Sequence, residues 1–482
     1  MIPRAVADRA RAFALSACLT VGGGCSFAPP YKVPDSGRAP EQYKELADWK
    51  VAEPQDAQPR GSWWLVYGDP ELDRLEDRIP ANLTLKAAFA RLQQARAQYR
   101  IARADLFPSL SADPYAMRDK YSPNAPKELP GYPTSLNDFL LGADFTYEVD
   151  LWGRVRNEVA SAKAARQASA ADYASVELSL RAQLAEDYFN VRVYDSELAL
   201  FDRTVASYRE ALKLTTDLFN GGAAALADVA QAQAQLDNAL TQAADVKLQR
   251  AQAEHAVAVL VGENPSLFGQ PANALPLDVV PPPIDAGLPS TLLERRPDVA
   301  EAERNVASAN AQIGVARAAY FPKLTLNATG GVESTKTSNL LSTSSLFWSL
   351  GPQISAPIFE GGRLVAETAR VKAVYEEQAA DYRNTVLTAY QDVEDNLVAL
   401  RRLQEEAESD AAAVLATGIA LKQAQDRYSA GIVTYLEVST AETAALQAEV
   451  QAANIQARRM SASVLLIKAL GGGWDRASLA RQ

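Results

Sequence analysis

The chain has 482 residues, a formal net charge of −11 at pH 7, one histidine and two cysteines. The acidic balance argues against a nucleic-acid-binding surface, because such surfaces are usually basic. The shortage of histidine and cysteine argues against a zinc site, a Ser-His-Asp triad and a disulfide framework, so we predict no metal site, no catalytic residue and no enzymatic activity.

The N-terminus has the layout of a secretory signal peptide. Three arginines among the first eleven residues precede an apolar or small-residue stretch at 12–21. Residues 15–18 match the usual lipobox sequence better than the residues before Cys25. However, a lipid on Cys18 would leave the signal peptide too short an apolar core, whereas a lipid on Cys25 leaves a core of normal length. We predict a signal peptide at 1–24, a covalent lipid on Cys25 as the only attached group, and a tether at 25–62. Cleavage near Cys25 without lipid attachment is the alternative.

The residues that follow favour an outer-membrane address. Ser26, not Asp, follows Cys25, and bacterial lipoproteins without Asp at that position generally move on to the outer membrane. After the signal, no run of 18 or more apolar residues predicts a transmembrane helix. A membrane location must therefore come from strands or from the lipid.

Four segments alternate between apolar and polar residues, which is the pattern of a strand with two different faces. The segments are 141–151, 323–333, 348–358 and, with weaker alternation, 108–118. Each has about the ten residues that a tilted strand needs to cross a bilayer. Loops near 119–138 and 334–345 are expected to join them in pairs. Two hairpins packed on a soluble body are the alternative.

Four strands are too few to close a sheet on itself, since about eight is the practical minimum, and lipid does not tolerate open edges. Three copies would supply about twelve strands and a lumen wide enough for water, whereas two copies would give a barrel filled by side chains. The predicted fold class is therefore mainly α with a small β part. A transport role favours three copies over two, which predicts a trimer with a 12-stranded outer-membrane β-barrel, to which each chain contributes four strands.

Two stretches predict very long helices. Residues 154–219 contain neither Gly nor Pro, and residues 363–430 contain no Pro and one glycine, Gly418. Both are rich in strong helix formers, and each would span roughly 100 Å if continuous; Gly418 is a candidate midway break. Shorter helices are expected at about 82–106, 225–262, 298–320 and 434–470. A coiled-coil rod is the alternative, but it explains neither the strands nor the signal.

The chain repeats itself at a spacing of about 210 residues. Ala-Arg-Ala-Asp-Leu-Phe-Pro-Ser-Leu at 102–110 is echoed by Ala-Arg-Ala-Ala-Tyr-Phe-Pro-Lys-Leu at 316–324. Each copy runs helix, two strands, very long helix, tight tip, long helix. We predict one body made of two similar halves, 63–280 and 281–472, followed by a tail at 473–482.

An ordered set of motifs covers nearly the whole mature chain. Residues 287–299 read Gly-Leu-Pro-Ser-Thr-Leu-Leu-Glu-Arg-Arg-Pro-Asp-Val, and further motifs lie at 25–34, 63–70, 150–154, 357–363 and 428–431. This set resembles the outer-membrane efflux lipoproteins of the OprM and NodT type, which are related to TolC.

The resemblance implies a homotrimer with a long periplasmic α-helical tunnel, anchored in and spanning the outer membrane. It implies docking to a periplasmic adaptor protein and a proton-driven inner-membrane transporter of the RND type, contact with outer-membrane lipids, and passive export of drugs or other small toxic compounds. A protein-secretion duct and a non-channel periplasmic scaffold are the alternatives. The lipoprotein start and the Arg-Arg-Pro-Asp region at 295–298 favour efflux over secretion, although Pro297 and Asp298 are also ordinary helix-starting residues.

The resemblance also implies a periplasmic gate just after the second tip. Leu436 matches an apolar ring position, and Thr440 stands where many members carry Asp, so Glu437 is expected to supply the charge. Asp228 is its counterpart in the first copy, and Tyr428 is expected to hold the tip closed by a hydrogen bond. Three carboxylates around one axis would attract cations. Alternatively, Glu437 and Asp228 are first-turn acids favoured by the helix dipole.

The tips themselves are the candidate adaptor-docking site. Gly222 in the first copy, and Gly431, Ile432 and Val433 in the second, lie in short segments of mainly small residues. Small side chains let a partner hairpin approach closely. The alternative is that the glycines are helix C-caps, where Gly is favoured, and the two roles are compatible.

Overall fold

The structure is a computed structural model that describes residues 26–36, 39–40, 42–46, 62–120, 122, 135–284 and 295–474. The predicted signal peptide, both candidate lipidation residues Cys18 and Cys25, and the 287–294 part of the long motif lie outside the described residues.

The described residues form long helices and one sheet. The helices are α1 (Pro70–Glu76), α2 (Leu83–Ala104), α3 (Arg154–Asn220), α4 (Leu226–Leu260), α5 (Pro297–Ala318), α6 (Arg363–Ser429) and α7 (Tyr435–Ala469). The strands are β1 (Ser109–Ala112), β2 (Tyr115–Lys120), β3 (Ser135–Val149), β4 (Lys323–Ser334) and β5 (Leu346–Ser355). None of the described helices combines the length and the hydropathy needed to cross a membrane.

The two copies match helix by helix. Helices α3 and α6 both have 67 residues, and α4 and α7 both have 35. Helix α6 begins 209 residues after α3 (363 against 154), and α7 begins 209 after α4 (435 against 226). The prediction of very long helices is confirmed. The prediction of a midway break at Gly418 was wrong, because α6 continues through this residue. One glycine in a helix interior costs only about 1 kcal/mol relative to alanine.

The chain divides into two compact units. The first comprises Met1–Asp35, Leu92–Ser169 and Ala302–Tyr382, and it contains the whole sheet. The second comprises Ser36–Arg91, Ala170–Glu301 and Arg383–Gln482, and it contains both tips.

The sheet of the first unit is antiparallel, with the order β1-β3-β4-β5, and β2 also pairs with β3. Strands β1 and β2 pair with consecutive stretches of β3, namely residues 143–146 and 135–140. They therefore form one broken strand, interrupted at Asp113 and Pro114. The sheet consequently has four strand positions, as predicted, although the weakest predicted strand is two segments.

Several strand boundaries differ from the predictions. Residues 119–120 and 135–138, expected in a loop, are paired strand. Strand β3 ends at Val149 because Asp150 instead accepts backbone hydrogen bonds from Val155 (3.2 Å) and Arg156 (2.9 Å) at the start of α3. Strand β5 ends at Ser355, three residues before the predicted end.

The two faces of the sheet have different chemistry. Directly paired residues share a face, so the register places these side chains on one apolar face: Leu110, Leu141, Phe145, Tyr147, Leu324, Leu326, Val332, Trp348, Leu350 and Ile354. The opposite face is polar; there Thr329 donates to Asp144 (2.5 Å) and Asn327 donates to Gln353 (3.0 Å). The predicted alternation is confirmed.

The described start of the predicted tether lies against α5. Phe27 stacks on Phe321 with ring centroids 4.4 Å apart, and its carbonyl accepts from Arg317 at 3.2 Å. Asn310 donates to the carbonyl of Pro29 at 2.9 Å. These contacts fix the chain two residues after Cys25 at the end of α5, where β4 follows.

Arg296 holds the helix ends at the junction between the two copies. Its guanidinium donates to both carboxylate oxygens of Asp298 (3.0 and 2.6 Å), to Asp392 (2.9 Å) and to the carbonyl of Ala469 at the end of α7 (3.2 Å). The Arg-Arg-Pro-Asp segment thus has the structural contacts of a helix junction.

Strands β3 and β4 approach each other closely at a pair of glycines. Gly331 lies opposite Gly142, and a Cβ on Gly331 would come within 2.4 Å of the carbonyl oxygen of Leu141. Backbone cannot yield as a flexible side chain can, so glycine is required there.

We expect Gly331→Ala to destabilise the sheet by about 1–3 kcal/mol, the usual cost of overpacking. Gly351→Ala is the matched control, because a Cβ there meets no described atom within 4 Å. The measurement is the urea unfolding midpoint of each variant in detergent micelles. Equal midpoints for the two variants would contradict the close approach.

Candidate functional site

The candidate site lies in the second unit, where two long helices end and their return helices begin. Both tips close in the same way. Gly222 and Gly431 have positive φ angles of 75° and 72°. The amide of Ala223 donates to the carbonyl of Leu218 (2.8 Å), and the amide of Ile432 donates to that of Arg427 (2.9 Å). This pattern is the Schellman C-cap, which favours glycine.

The predicted docking residues therefore have a local structural role at both tips. In the second tip, Ile432 is 67% exposed and Val433 is half-buried. Their exposure leaves an apolar surface free in a single chain, and their use for docking stays a prediction.

A small apolar cluster, which we call the tip cluster, joins α3, α4, α6 and α7 near the second tip. Its members are Ala232 of α4, Ala424 of α6, and Tyr435 and Val438 of α7, with Ala211, Leu212, Tyr428 and Ala441 packed against them. Two alanines at its centre let the helices approach closely. Movement of the start of α7 would therefore disturb α3, α4 and α6 together.

Tyr428 lies at the edge of this cluster. Its ring contacts that of Tyr435 edge to face, with centroids 5.5 Å apart. Its hydroxyl lies 3.4 Å from the hydroxyl oxygen of the buried Thr215 on α3. This distance is long for an O–H···O hydrogen bond, so packing against Tyr435 is the stronger contact.

Glu437 forms an ion pair with Arg427. Arg427 belongs to the last turn of α6 and Glu437 to the first turn of α7, so the pair bridges the two sides of the tip. Both side chains are roughly half exposed, and such a pair contributes only about 0–1 kcal/mol to stability. The interaction can therefore break without unfolding the helices.

The other three predicted gate residues have local surroundings. Leu436 is 61% exposed beside the buried Tyr435. The hydroxyl of Thr440 donates to the carbonyl of Leu436 at 2.8 Å, within its own helix. The carboxylate of Asp228 accepts from the amide of Ala225 at 3.2 Å, which is a helix-starting contact. The structure brings Tyr428, Leu436 and Glu437 together around the second tip, while Asp228 lies at the first.

The sequence did not single out a buried carboxyl group two turns along α7. Glu442 is 2% exposed, and its Oε2 accepts a hydrogen bond from the hydroxyl of Tyr435 at 3.0 Å. Burial raises the pKa of Glu442 to about 7. The seven-residue spacing puts Tyr435 and Glu442 on one helix face, but only the packing reveals that this face is buried. Arg427 was missed for a similar reason, since its pairing with Glu437 depends on the turn between them.

The return helices are joined by a polar contact beside the tip cluster. The amide nitrogen of Gln235 on α4 donates to the hydroxyls of Ser439 (2.6 Å) and Thr443 (3.0 Å) on α7, and Gln231 also donates to Ser439 (2.9 Å). Within the part of the chain that the structure describes, no group of three or more His, Cys, Asp or Glu side chains could hold a metal ion.

Comparisons with known proteins match this chain along nearly its whole length. The family model described as outer membrane efflux protein matches residues 77–263 and 288–472. The pyoverdine export outer membrane protein OpmQ of Pseudomonas aeruginosa is 36% identical over 486 residues, covering 97% of this chain and 98% of that protein.

Two further similarities agree with these matches. The probable efflux pump outer membrane protein TtgC of Pseudomonas putida is 33% identical over 457 residues, covering 94% of this chain and 93% of that protein. Among solved structures, the CmeC outer membrane channel of Campylobacter jejuni matches with a TM-score of 0.88 and 27% identity, covering 94% of this chain and 96% of that one.

Proposed function

Because the chain belongs to the outer membrane efflux protein family, we propose that it is the outer-membrane channel of a tripartite efflux pump. It conducts small toxic compounds or drugs passively from the periplasm to the exterior and catalyses no reaction. The relatives' names cover pyoverdine export and a probable efflux pump, so the family does not define one cargo.

The observation that carries this proposal is the sheet with two different faces. On its apolar face, Trp348, Leu350 and Ile354 are 77%, 73% and 71% exposed in a single chain. A contiguous exposed apolar surface of this kind marks contact with lipid or protein. The opposite, polar face suits a water-filled lumen.

The edges of the sheet support assembly into a homotrimer. Among the described strands, β1 and β2 lie at one edge and β5 at the other. Their outward backbone groups need partners in lipid. Edge strands of neighbouring copies supply these partners, and three copies leave a lumen for water.

The remaining partners follow from the proposed pump. A periplasmic adaptor protein docks at the tips and connects the channel to an inner-membrane transporter of the RND type, which supplies the energy. Outer-membrane lipids contact the apolar face, and a lipid on Cys25 anchors the N-terminus. The contacts of Phe27 and Pro29 with α5 support this anchor, because they hold the chain just after Cys25 against the helix that precedes β4.

The second tip is the periplasmic gate of the proposed channel. Leu436 is exposed in one chain and would meet its copies around the trimer axis. The adjacent Arg427–Glu437 ion pair ties α7 to α6, which fixes the position of Leu436. Breaking this pair frees the first turn of α7 without removing any part of the tip cluster.

We expect Glu437→Ala and Leu436→Ser each to raise the resting conductance of reconstituted protein severalfold, because each removes one constraint on the closed tip. Arg427→Glu should do the same, and the exchange Arg427→Glu with Glu437→Arg should restore the low conductance. The measurement is single-channel recording in planar bilayers.

The matched control breaks the ion pair between Arg402 and Glu405, which is exposed and lies within α6. Glu405→Ala should leave the conductance unchanged. Unchanged conductance in Leu436→Ser and Glu437→Ala would remove the gate assignment, and complete absence of conductance in every variant would contradict the channel itself.

Docking at the second tip predicts a position-specific contact with the adaptor. A photoreactive phenylalanine analogue at Ile432 or Val433 should cross-link a periplasmic adaptor protein in intact cells. The same analogue at Leu341, an equally apolar exposed residue between β4 and β5, is the control and should not. Cross-linking at 341 but not at 432 or 433 would refute tip docking.

Lipidation at the preferred cysteine can be tested directly. Cells grown with radiolabelled palmitate should yield labelled wild-type protein and labelled Cys18→Ser, but unlabelled Cys25→Ser. Label that disappears with Cys18→Ser instead would assign the lipid to the first cysteine. Label in neither the wild type nor the variants would indicate cleavage without lipid.

A further inference from the structure

Glu442 is a buried carboxyl group that the proposed gate does not use. Its Oε2 accepts from the hydroxyl of Tyr435, itself 1% exposed, whereas its Oε1 has no hydrogen-bond partner among the described residues. A buried polar atom without a partner costs free energy, and the cost is larger when the group is charged. The arrangement therefore tolerates a neutral carboxyl better than a carboxylate.

Contacts connect this carboxyl group to the candidate gate. Tyr435 belongs to the tip cluster and immediately precedes Leu436 in the first turn of α7. Its ring packs edge to face on Tyr428, at the end of α6. Any shift of Glu442 that breaks its bond to Tyr435 would loosen the residue beside Leu436.

The groups that face Glu442 do not neutralise a negative charge. Helix α3 presents Tyr208, whose buried hydroxyl also has no partner among the described residues, and whose pKa is raised by burial and by the charges of Glu442 and Glu449. Helix α6 presents Tyr428, whose ring packs on Tyr435, the hydrogen-bond partner of Glu442. Helix α7 itself carries Glu449. On helix α4, the neutral amides of Gln231 and Gln235 donate to Ser439 and Thr443, which flank Glu442 in the sequence of α7. No basic side chain in the described chain forms an ion pair with Glu442.

We propose that Glu442 is a proton-operated positioning residue of the gate: its neutral form keeps the start of α7 packed on α3 and α6, and its ionised form releases it. This inference rests on the proposed channel function and adds a pH dependence to the same tip.

The direction of the effect follows from proton linkage. Burial raises the pKa of Glu442 from 4.5 to about 7 in the packed tip, whereas in a loosened, hydrated tip it would return towards 4.5. Below about pH 4.5 both arrangements are protonated, so pH does not discriminate between them. As pH rises to about 7, ionisation increasingly favours the loosened tip, and the preference levels off above that pH. Each pKa unit is a factor of ten, so the full shift is at most about 300-fold in the equilibrium.

The experiment compares single-channel conductance of the full-length protein in planar bilayers between pH 5 and pH 8. The wild type should open more often as pH rises from 5 to about 7, with little further change up to pH 8. Glu442→Gln should keep the low-pH behaviour at every pH, because the amide is neutral and still accepts from Tyr435.

Glu449→Gln is the matched control. It removes a carboxylate from the same helix as Glu442, close to Tyr208 of α3, and should keep the wild-type profile. A pH-independent wild type, an unchanged profile in Glu442→Gln, or a profile lost in Glu449→Gln would each overturn the inference. Thermal unfolding of each variant in detergent checks that it folds.

A second measurement separates this inference from the channel proposal. Infrared difference spectra should show protonated-carboxyl absorption that titrates near pH 7 in the wild type, and the component due to Glu442 should be missing in Glu442→Gln. Protein that never conducts, even as Glu437→Ala, contradicts the channel function alone. The infrared titration then still decides whether Glu442 holds a proton at neutral pH, and absence of the Glu442 component overturns the inference.

Discussion

The constraint on which the rest of the structure depends is the incomplete sheet. Backbone groups at the outer sides of β1, β2 and β5 need hydrogen-bond partners, and the apolar face needs a medium other than water. One chain meets neither requirement within its described residues. Both are met when copies of the chain pair edge to edge within a membrane, because each copy supplies the edge that its neighbour lacks. The edge strands themselves therefore require neighbouring copies as hydrogen-bond partners.

The duplicated helices are equal in length but differ in chemistry at the tips. At the spacing of 209 residues, Tyr435 and Glu442 of the second copy correspond to Leu226 and Gln233 of the first. Tyr435 is buried, whereas Leu226 is 64% exposed. A buried tyrosine–carboxyl pair therefore exists at one tip only, although both tips share the same glycine C-cap.

Much of the fold was predictable because its signals are local. Alternation along β3 and β4 and the absence of Gly and Pro from α3 directly reflect strand and helix geometry. One error occurred where a helix-capping contact overrides the strand pattern, because Asp150 continues the alternation of β3 but hydrogen-bonds the start of α3. The other occurred because a single helical glycine costs too little to break a long helix, and α6 continues through Gly418.

The site was less predictable than the fold. Leu436 and Glu437 could be named only through family resemblance, since nothing local distinguishes them from other residues at a helix start. The ion pair with Arg427 depends on the path of the turn between the helices. The burial of Glu442 depends on four helices meeting at the tip cluster. The sequence of α7 alone does not indicate where the other three helices pack.

The most direct test of this account is the mass and backbone protection of the purified protein in detergent, measured by light scattering and amide hydrogen exchange. The account predicts a particle of three chains in which the outward amides of the edge strands exchange slowly, because neighbouring copies bond to them. A stable single chain with those same amides protected would contradict it, since the sheet would then be complete without any neighbour.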